Sequence, residues 1–236
     1  MSFLCRSDDE LLAAWGPVLL GRESGQAAAE MVVKRQRRDG SFGDLSATRR
    51  VIALLDDAGS RSGPVLESAC RWLERSQSSE GYWGRGDEPA LFETGLLTGI
   101  LARGRYAPER MLYAAADWLA AGFEPERLKF RWRPLAAYAA TFANLSHDES
   151  DAILQWCGRE LERGVLARRF EPVAVGRLLL WCDTPSLPGG KVSAAQVLPE
   201  LVASQAGDGS FSIGAGDASP LQATWDALVA LLRLPG

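Results

Sequence analysis

Lysine is almost missing from this chain of 236 residues: Lys34, Lys129 and Lys191 are the only ones, and the rest of the basic charge is arginine. Acidic residues outnumber basic ones, 30 against 26, for a formal net charge of -4. A chain so balanced has no bulk electrostatic hold on nucleic acid. No apolar run approaches the roughly 18 residues that span a membrane. The first ten residues, MSFLCRSDDE, lack a basic segment followed by an apolar one, so no export signal is read. The four cysteines, Cys5, Cys70, Cys157 and Cys182, form no C-x-x-C pair. Reduced, buried thiols and a soluble cytoplasmic protein without an integral membrane segment are the expectation. Histidine occurs once, at His147. Neither Cys182 next to Asp183 nor a set of Cys157, Cys182 and His147 has the local context of a zinc site, so no metal or other cofactor is expected.

What the chain does contain is a repeated string. Residues 36–42 read QRRDGSF, residues 77–83 QSSEGYW and residues 205–211 QAGDGSF. Each is a Gln, three residues, a Gly, one residue and an aromatic. Upstream of each, apolar residues recur one and two turns before the Gln: Val32 and Ala28, Leu73 and Ala69, Leu201 and Val197. Wet residues such as Lys34, Glu74 and Glu200 stand between them, the pattern of a one-sided amphipathic helix. Downstream, each string leads to a Thr (Thr48, Thr94, Thr224) and a segment apolar on most sides, as in a helix buried between neighbours.

The first two Gln residues are about 40 positions apart, and Gln77 and Gln205 about three such steps, the signature of a repeat array. Degenerate pairs fill the gap: 109–121 with 134–145, and 148–163 with 172–182. One all-α domain is therefore expected over 1–236. Its helical hairpins lie near 22–58, 64–103, 108–145, 148–182 and 193–234, behind an N-terminal helix at 7–20. Ser7 and Asp8 are candidate caps for that helix, and Pro17 a kink near its end.

The strings and the period resemble the QW repeats of squalene–hopene cyclase and its relatives, and the repeats of protein prenyltransferase β subunits. The resemblance implies an α/α toroid, an inner ring of helices within an outer one, in which each Gln meets the next outer helix and the aromatic packs over it. It also implies a lipophilic central cavity and an isoprenoid or similarly apolar ligand. Cyclases of that superfamily start their reaction with a D-x-D-D-T-like motif whose central Asp is a neutral acid. At the matching place this chain reads DLSAT, residues 44–48, with Ser46 and Ala47 where two acids belong. A seryl hydroxyl is far too weak to protonate an alkene. The expected activity is thus cyclase-like acid–base chemistry without the usual motif. The alternative is a non-catalytic toroid that binds a small ligand or a partner protein.

Site candidates cluster at the starts of the inner helices. Glu93 or Asp44 would act as acid or base; Asp44 has the alternative reading of a helix cap. Arg131, Arg133 and Arg177 would hold an anionic head, an alternative for the first two being a solvated loop. Arg49 and Asp226 stand near the same ends, and Tyr138 and Trp225 would shape an apolar pocket. The recurrence of the three Thr points to capping or packing. Asp56 and Asp57, at the far end of an inner helix before Gly59, read as surface.

Overall fold

The computed structural model describes residues 4, 9–60, 63–212 and 219–235, and over these the chain is all-helical, with twelve helices and no strand. A first helix, α1, runs Glu10–Leu19. Its cap is Asp9, whose carboxylate accepts from the N–H groups of Leu11 and Leu12; Ser7 and Asp8, the expected caps, lie outside the described residues.

Five helices follow that carry a wet face: α2 (Gln26–Arg35), α4 (Pro64–Ser76), α6 (Glu109–Ala121), α9 (Ser150–Leu166) and α11 (Ala194–Ala203). Each is followed by one buried on most sides: α3 (Leu45–Asp57), α5 (Asp87–Gly104), α8 (Trp132–Asn144), α10 (Pro172–Trp181) and α12 (Pro220–Arg233). A single turn, α7 (Pro125–Leu128), precedes α8 and was not legible as a helix. Helix starts are marked by the expected chemistry. Pro64, Pro172 and Pro220 occupy first positions, where a missing N–H costs nothing. Ser193 and Gln196 form a capping box on α11. Pro134 instead sits two residues inside α8, which begins at Trp132.

The buried helices pack in succession, α3 on α5, α5 on α8, α8 on α10 and α10 on α12. Helix α12 also touches α1, which in turn packs on α2. The closest of these seams is α5–α8. Gly95 and Gly99 lie against Ala137 and Ala140, and a Cβ on either glycine would overlap the facing backbone. Thr141 donates across the same seam to the Gly95 carbonyl at 3.0 Å.

The repeated strings fold as one kind of clamp. The Gln36 amide nitrogen donates to its own turn at Gly40 O (2.9 Å) and to Val65 O in the first turn of α4 (2.8 Å). Gln77 does the same with Gly81 O (2.7 Å) and Met111 O in α6 (2.9 Å). Among the described residues the Gln205 amide bonds only its own turn, at Gly209 O. Gly40 and Gly81 have positive φ and press on the carbonyls of Ser68 and Ala114, space that no side chain could share. The three threonines close the other side: the N–H groups of Phe42, Trp83 and Phe211 donate to the hydroxyls of Thr48, Thr94 and Thr224 at 2.8–3.0 Å. Their recurrence is therefore structural, as their presence in every clear repeat suggested.

At the opposite ends of the buried helices, carbonyls without intrahelical partners are met by side chains. Arg103 donates to Leu180 O and Trp181 O, Asn144 to Trp181 O, and Arg233 to Asp57 O. Among the described residues no helix is long and apolar enough to cross a membrane. Cys70, Cys157 and Cys182 are free and buried; Cys5 lies outside the described residues. Burial pushes the Cys70 thiol up to about 11 and the other two further in the same direction.

Candidate functional site

A cavity of about 760 Å³ lies among the five buried helices, all of which contribute to its wall. The residues that line it from α8 and α12 come from the first half of each helix and those from α5 lie between Pro89 and Leu96, while α3 runs along it from Ser46 to Asp57. A second, smaller pocket of about 270 Å³ is lined by the far ends of α3, α5, α10 and α12. The far ends of these four helices thus meet at the second pocket. Asp57 stands in the wall of both spaces.

Six of the nine candidate residues are brought together on the cavity wall: Arg49, Glu93, Arg133, Arg177, Trp225 and Asp226. Three are not. Asp44 caps α3, accepting from the N–H of Ala47 at 2.8 Å. Arg131 precedes α8 and pairs with Glu88, both half-exposed. Tyr138 is fully buried between Phe123 and Phe142, and its hydroxyl finds no hydrogen-bond partner among the described residues. Burial pushes that phenol well above its usual range, which leaves it a packing group.

Two charge groupings organise the wall. Near the starts of the helices, the Arg49 guanidinium grips both oxygens of Glu93, at 2.7 and 3.4 Å. Arg49 and Arg133 also lie over the Phe92 ring, 5.7 and 5.6 Å from its centre. Deeper, Arg177 is only 4% exposed and stands between two carboxylates, 2.8 Å from Asp57 and 3.5 Å from Asp226. Burial works against its charge, but Asp57 and Asp226 outweigh that and hold the guanidinium ionised. Arg177, expected to hold an anionic head, thus stands paired with these two carboxylates.

Asp57 corrects a reading of the sequence. It is buried, not surface, because its carboxylate also accepts from the Trp225 indole N–H at 3.0 Å. Asp56 is buried as well, held by Arg103 and by the Tyr106 hydroxyl. A sequence signal existed: a helix apolar on most sides that ends in two acids needs counter-ions, and α10 offers Arg177 as its single charge.

Asp226 has the most perturbed carboxyl of the cavity. Burial raises it to about 6, against the pull of Arg177 and of the Gln222 amide, which donates to its Oδ1 at 2.9 Å; Asp57 pushes it further up. Such a group exchanges its proton near neutral pH, which suits an acid–base catalyst. The wall also carries aromatic side chains, Phe92, Trp132, Phe170 and Trp225 among them. Of these, Phe92, Trp132 and Phe170 were not singled out in the sequence: an aromatic in an apolar helix, as at Phe92, looks like core, and Phe170 stands in the loop before α10. Among the described residues no group of three His, Cys, Asp or Glu side chains is placed to hold a metal ion. His147 is engaged by the Glu149 N–H and by Asp117.

Comparison with known protein families, with curated proteins and with solved structures finds no match to this chain.

Proposed function

We propose that the chain is an α/α toroid of the terpenoid-cyclase type, and that its cavity takes an isoprenoid or comparably apolar molecule and works on it by acid–base chemistry, with Asp226 as the acid. The observation that carries this reading is Asp226 itself: a carboxyl 6% exposed, raised to about 6, on the wall of a cavity that carries aromatic and aliphatic side chains beside its charged groups. The alternation of outer and buried helices and the Gln clamps onto the next outer helix add support. Fold alone would not assign the chemistry.

In the proposed step the Asp226 proton adds to one carbon of an alkene and leaves positive charge on the other. The new carboxylate is then stabilised by Arg177, already in place beside it. Trp225 and the other aromatic faces steady the cation, by roughly 2 kcal/mol or more each when desolvated. Loss of a neighbouring proton to a carboxylate returns a neutral product with its double bond moved. Glu93, held by Arg49 on the same wall, is the proposed acceptor.

A non-catalytic binding protein is the second reading. It is favoured by the pairing of Arg49 with Glu93 and of Arg177 with Asp57, which leaves both groupings satisfied without a ligand. One experiment separates the two. The protein is incubated in deuterated water with farnesol as probe, and the recovered alkene is weighed by mass spectrometry. Deuterium incorporation that disappears in Asp226→Asn supports the enzyme. Binding without incorporation sinks it in favour of the second reading.

A further inference from the structure

We infer that Gln222 is a positioning residue for the acid of the proposed reaction: its amide holds Oδ1 of Asp226 as the acceptor oxygen and so confines the transferable proton to Oδ2. The inference rests on the proposed acid–base reading. It adds the atom that delivers the proton and the side chain that selects it.

Gln222 and Asp226 stand two residues before and two after Thr224, the threonine that closes the last clamp. The same two places around Thr48 hold Ser46 and Arg50, and around Thr94 they hold Phe92 and Leu96. All six residues line the cavity. The register of each helix on its threonine therefore brings both places to the cavity in every clear repeat. Only the last repeat fills them with an amide and an acid. A feature that the fold requires recurs, as the threonines do, whereas a feature of a site occupies one repeat.

The two side chains are one helical turn apart, and Gln222 Nε2 donates to Asp226 Oδ1 at 2.9 Å. Arg177 makes its nearest approach to the same oxygen, Nε to Oδ1 at 3.5 Å. Oδ2 accepts a hydrogen bond from no described residue. The other charges that act on the acid, Asp57 and Arg49, stand on α3 and bond neither oxygen. A neutral carboxyl has one acceptor oxygen and one hydroxyl. Donors gathered on Oδ1 fix it as the acceptor, which leaves the hydrogen on Oδ2. In the proposed step the Oδ2–H bond breaks and its electron pair stays on Oδ2. The proton bonds to one alkene carbon through the π pair, and the other carbon is left positive. The negative charge then spreads over both oxygens, and on Oδ1 it meets donors already in place.

The test measures the rate of deuterium uptake into farnesol in deuterated water, with Gln222→Met and Gln222→Glu beside wild type. Carbon-detected NMR gives the midpoint of the Asp226 carboxyl in each protein. Gln222→Met keeps the length of the side chain and removes the donor. Its rate at saturating farnesol is expected to fall about tenfold, the low end for a hydrogen bond to a charged group, with half-saturation unchanged. Donation to Oδ1 favours the carboxylate, so without it the midpoint is expected to rise above about 6. Gln222→Glu donates only while its own carboxyl is protonated. Relative to wild type it is expected to be active near pD 5 and as poor as Gln222→Met near pD 7. Wild-type rate and midpoint in Gln222→Met overturn the inference and leave Asp226 as the acid. Weaker half-saturation with an unmoved midpoint also overturns it, since that is the mark of packing alone. No uptake by wild type removes the acid–base reading and the inference together.

Discussion

The indole N–H of Trp225 and the carboxylate of Asp57 meet at 3.0 Å, and they join the last buried helix to the first. The same carboxylate takes Arg177 from α10. Three helices distant in sequence are therefore tied at one acid, itself 4% exposed. Asp57→Ala would strand the Trp225 N–H and leave Arg177 with Asp226 alone. A loss of about 3 kcal/mol is expected, the low end for breaking a buried pair, because one counter-ion survives. Urea unfolding of the two proteins measures it.

Asp226 should leave a mark on the pH dependence of stability. Its carboxyl is raised from 3.8 to about 6 on folding. Between those values the unfolded chain has given up the proton and the folded one has not, so folding binds a proton. The stabilisation this gives is full below about 3.8 and is lost as pH climbs through 6. Wild type measured against Asp226→Asn should lose ground across that window, by at most 1.4 kcal/mol per pH unit, and stay level above pH 7. A flat difference from pH 4 to pH 7 would mean the carboxyl is not raised.

Asp57 and Asp226 are coupled through Arg177. In Asp57→Asn the Asp226 carboxyl loses a like-charged neighbour and has the guanidinium to itself, so its titration should move down from about 6. Carbon-detected NMR of the carboxyl would follow it. An unmoved midpoint would show that the two acids do not sense one another.

The clamps predict unequal costs for equal changes. Gln77→Ala removes a bond that reaches α6, whereas Gln205→Ala removes one confined to its own exposed turn. About 1 kcal/mol is expected for the first and a few tenths for the second. Thermal melts of the two variants that coincide would deny the clamp its role between repeats.

Two glycines give a matched pair of the same kind. Gly59 has φ +76 with open space around it, and Gly81 has φ +97 with the Ala114 carbonyl against it. An alanine at 59 carries only the backbone cost, about 1–2 kcal/mol. At 81 it must also displace a helix, roughly a further 1–3 kcal/mol. Chemical denaturation of both variants orders them.

The helices were legible because burial writes a period into the sequence. Val32, Leu73 and Leu201, each four before a Gln, are all buried as one stripe. The same reasoning failed where polarity was taken for exposure. Asp56 and Asp57 were read as surface from their position at a helix end, yet Arg103, Arg177 and Arg233 reach them from three other helices. No local rule reveals a partner so far away in the chain. Glu93 stands one residue before Thr94, where the other two clear repeats have Ala47 and Ala223, but its partner, Arg49, lies one repeat earlier. Asp226 was recognised only by its place near a helix start. What sets it apart is its burial beside Arg177, and burial of one polar group among apolar neighbours depends on which helices surround it.

The buried side chains fall into two clusters, and α12 belongs to both. Ala223, Ala227 and Ala230 pack with α8, α9 and α10, while Trp225 and Val229 pack with the helices nearer the amino terminus. Helix α5 is divided in the same way, Leu96 facing one cluster and Leu97, Ile100 and Leu101 the other. Neither half can come apart without stripping a face from both shared helices. The molecule is thus bound to melt as one cooperative unit although its sequence is modular, and loosening any one hairpin would be felt in the exchange of amides across the whole chain.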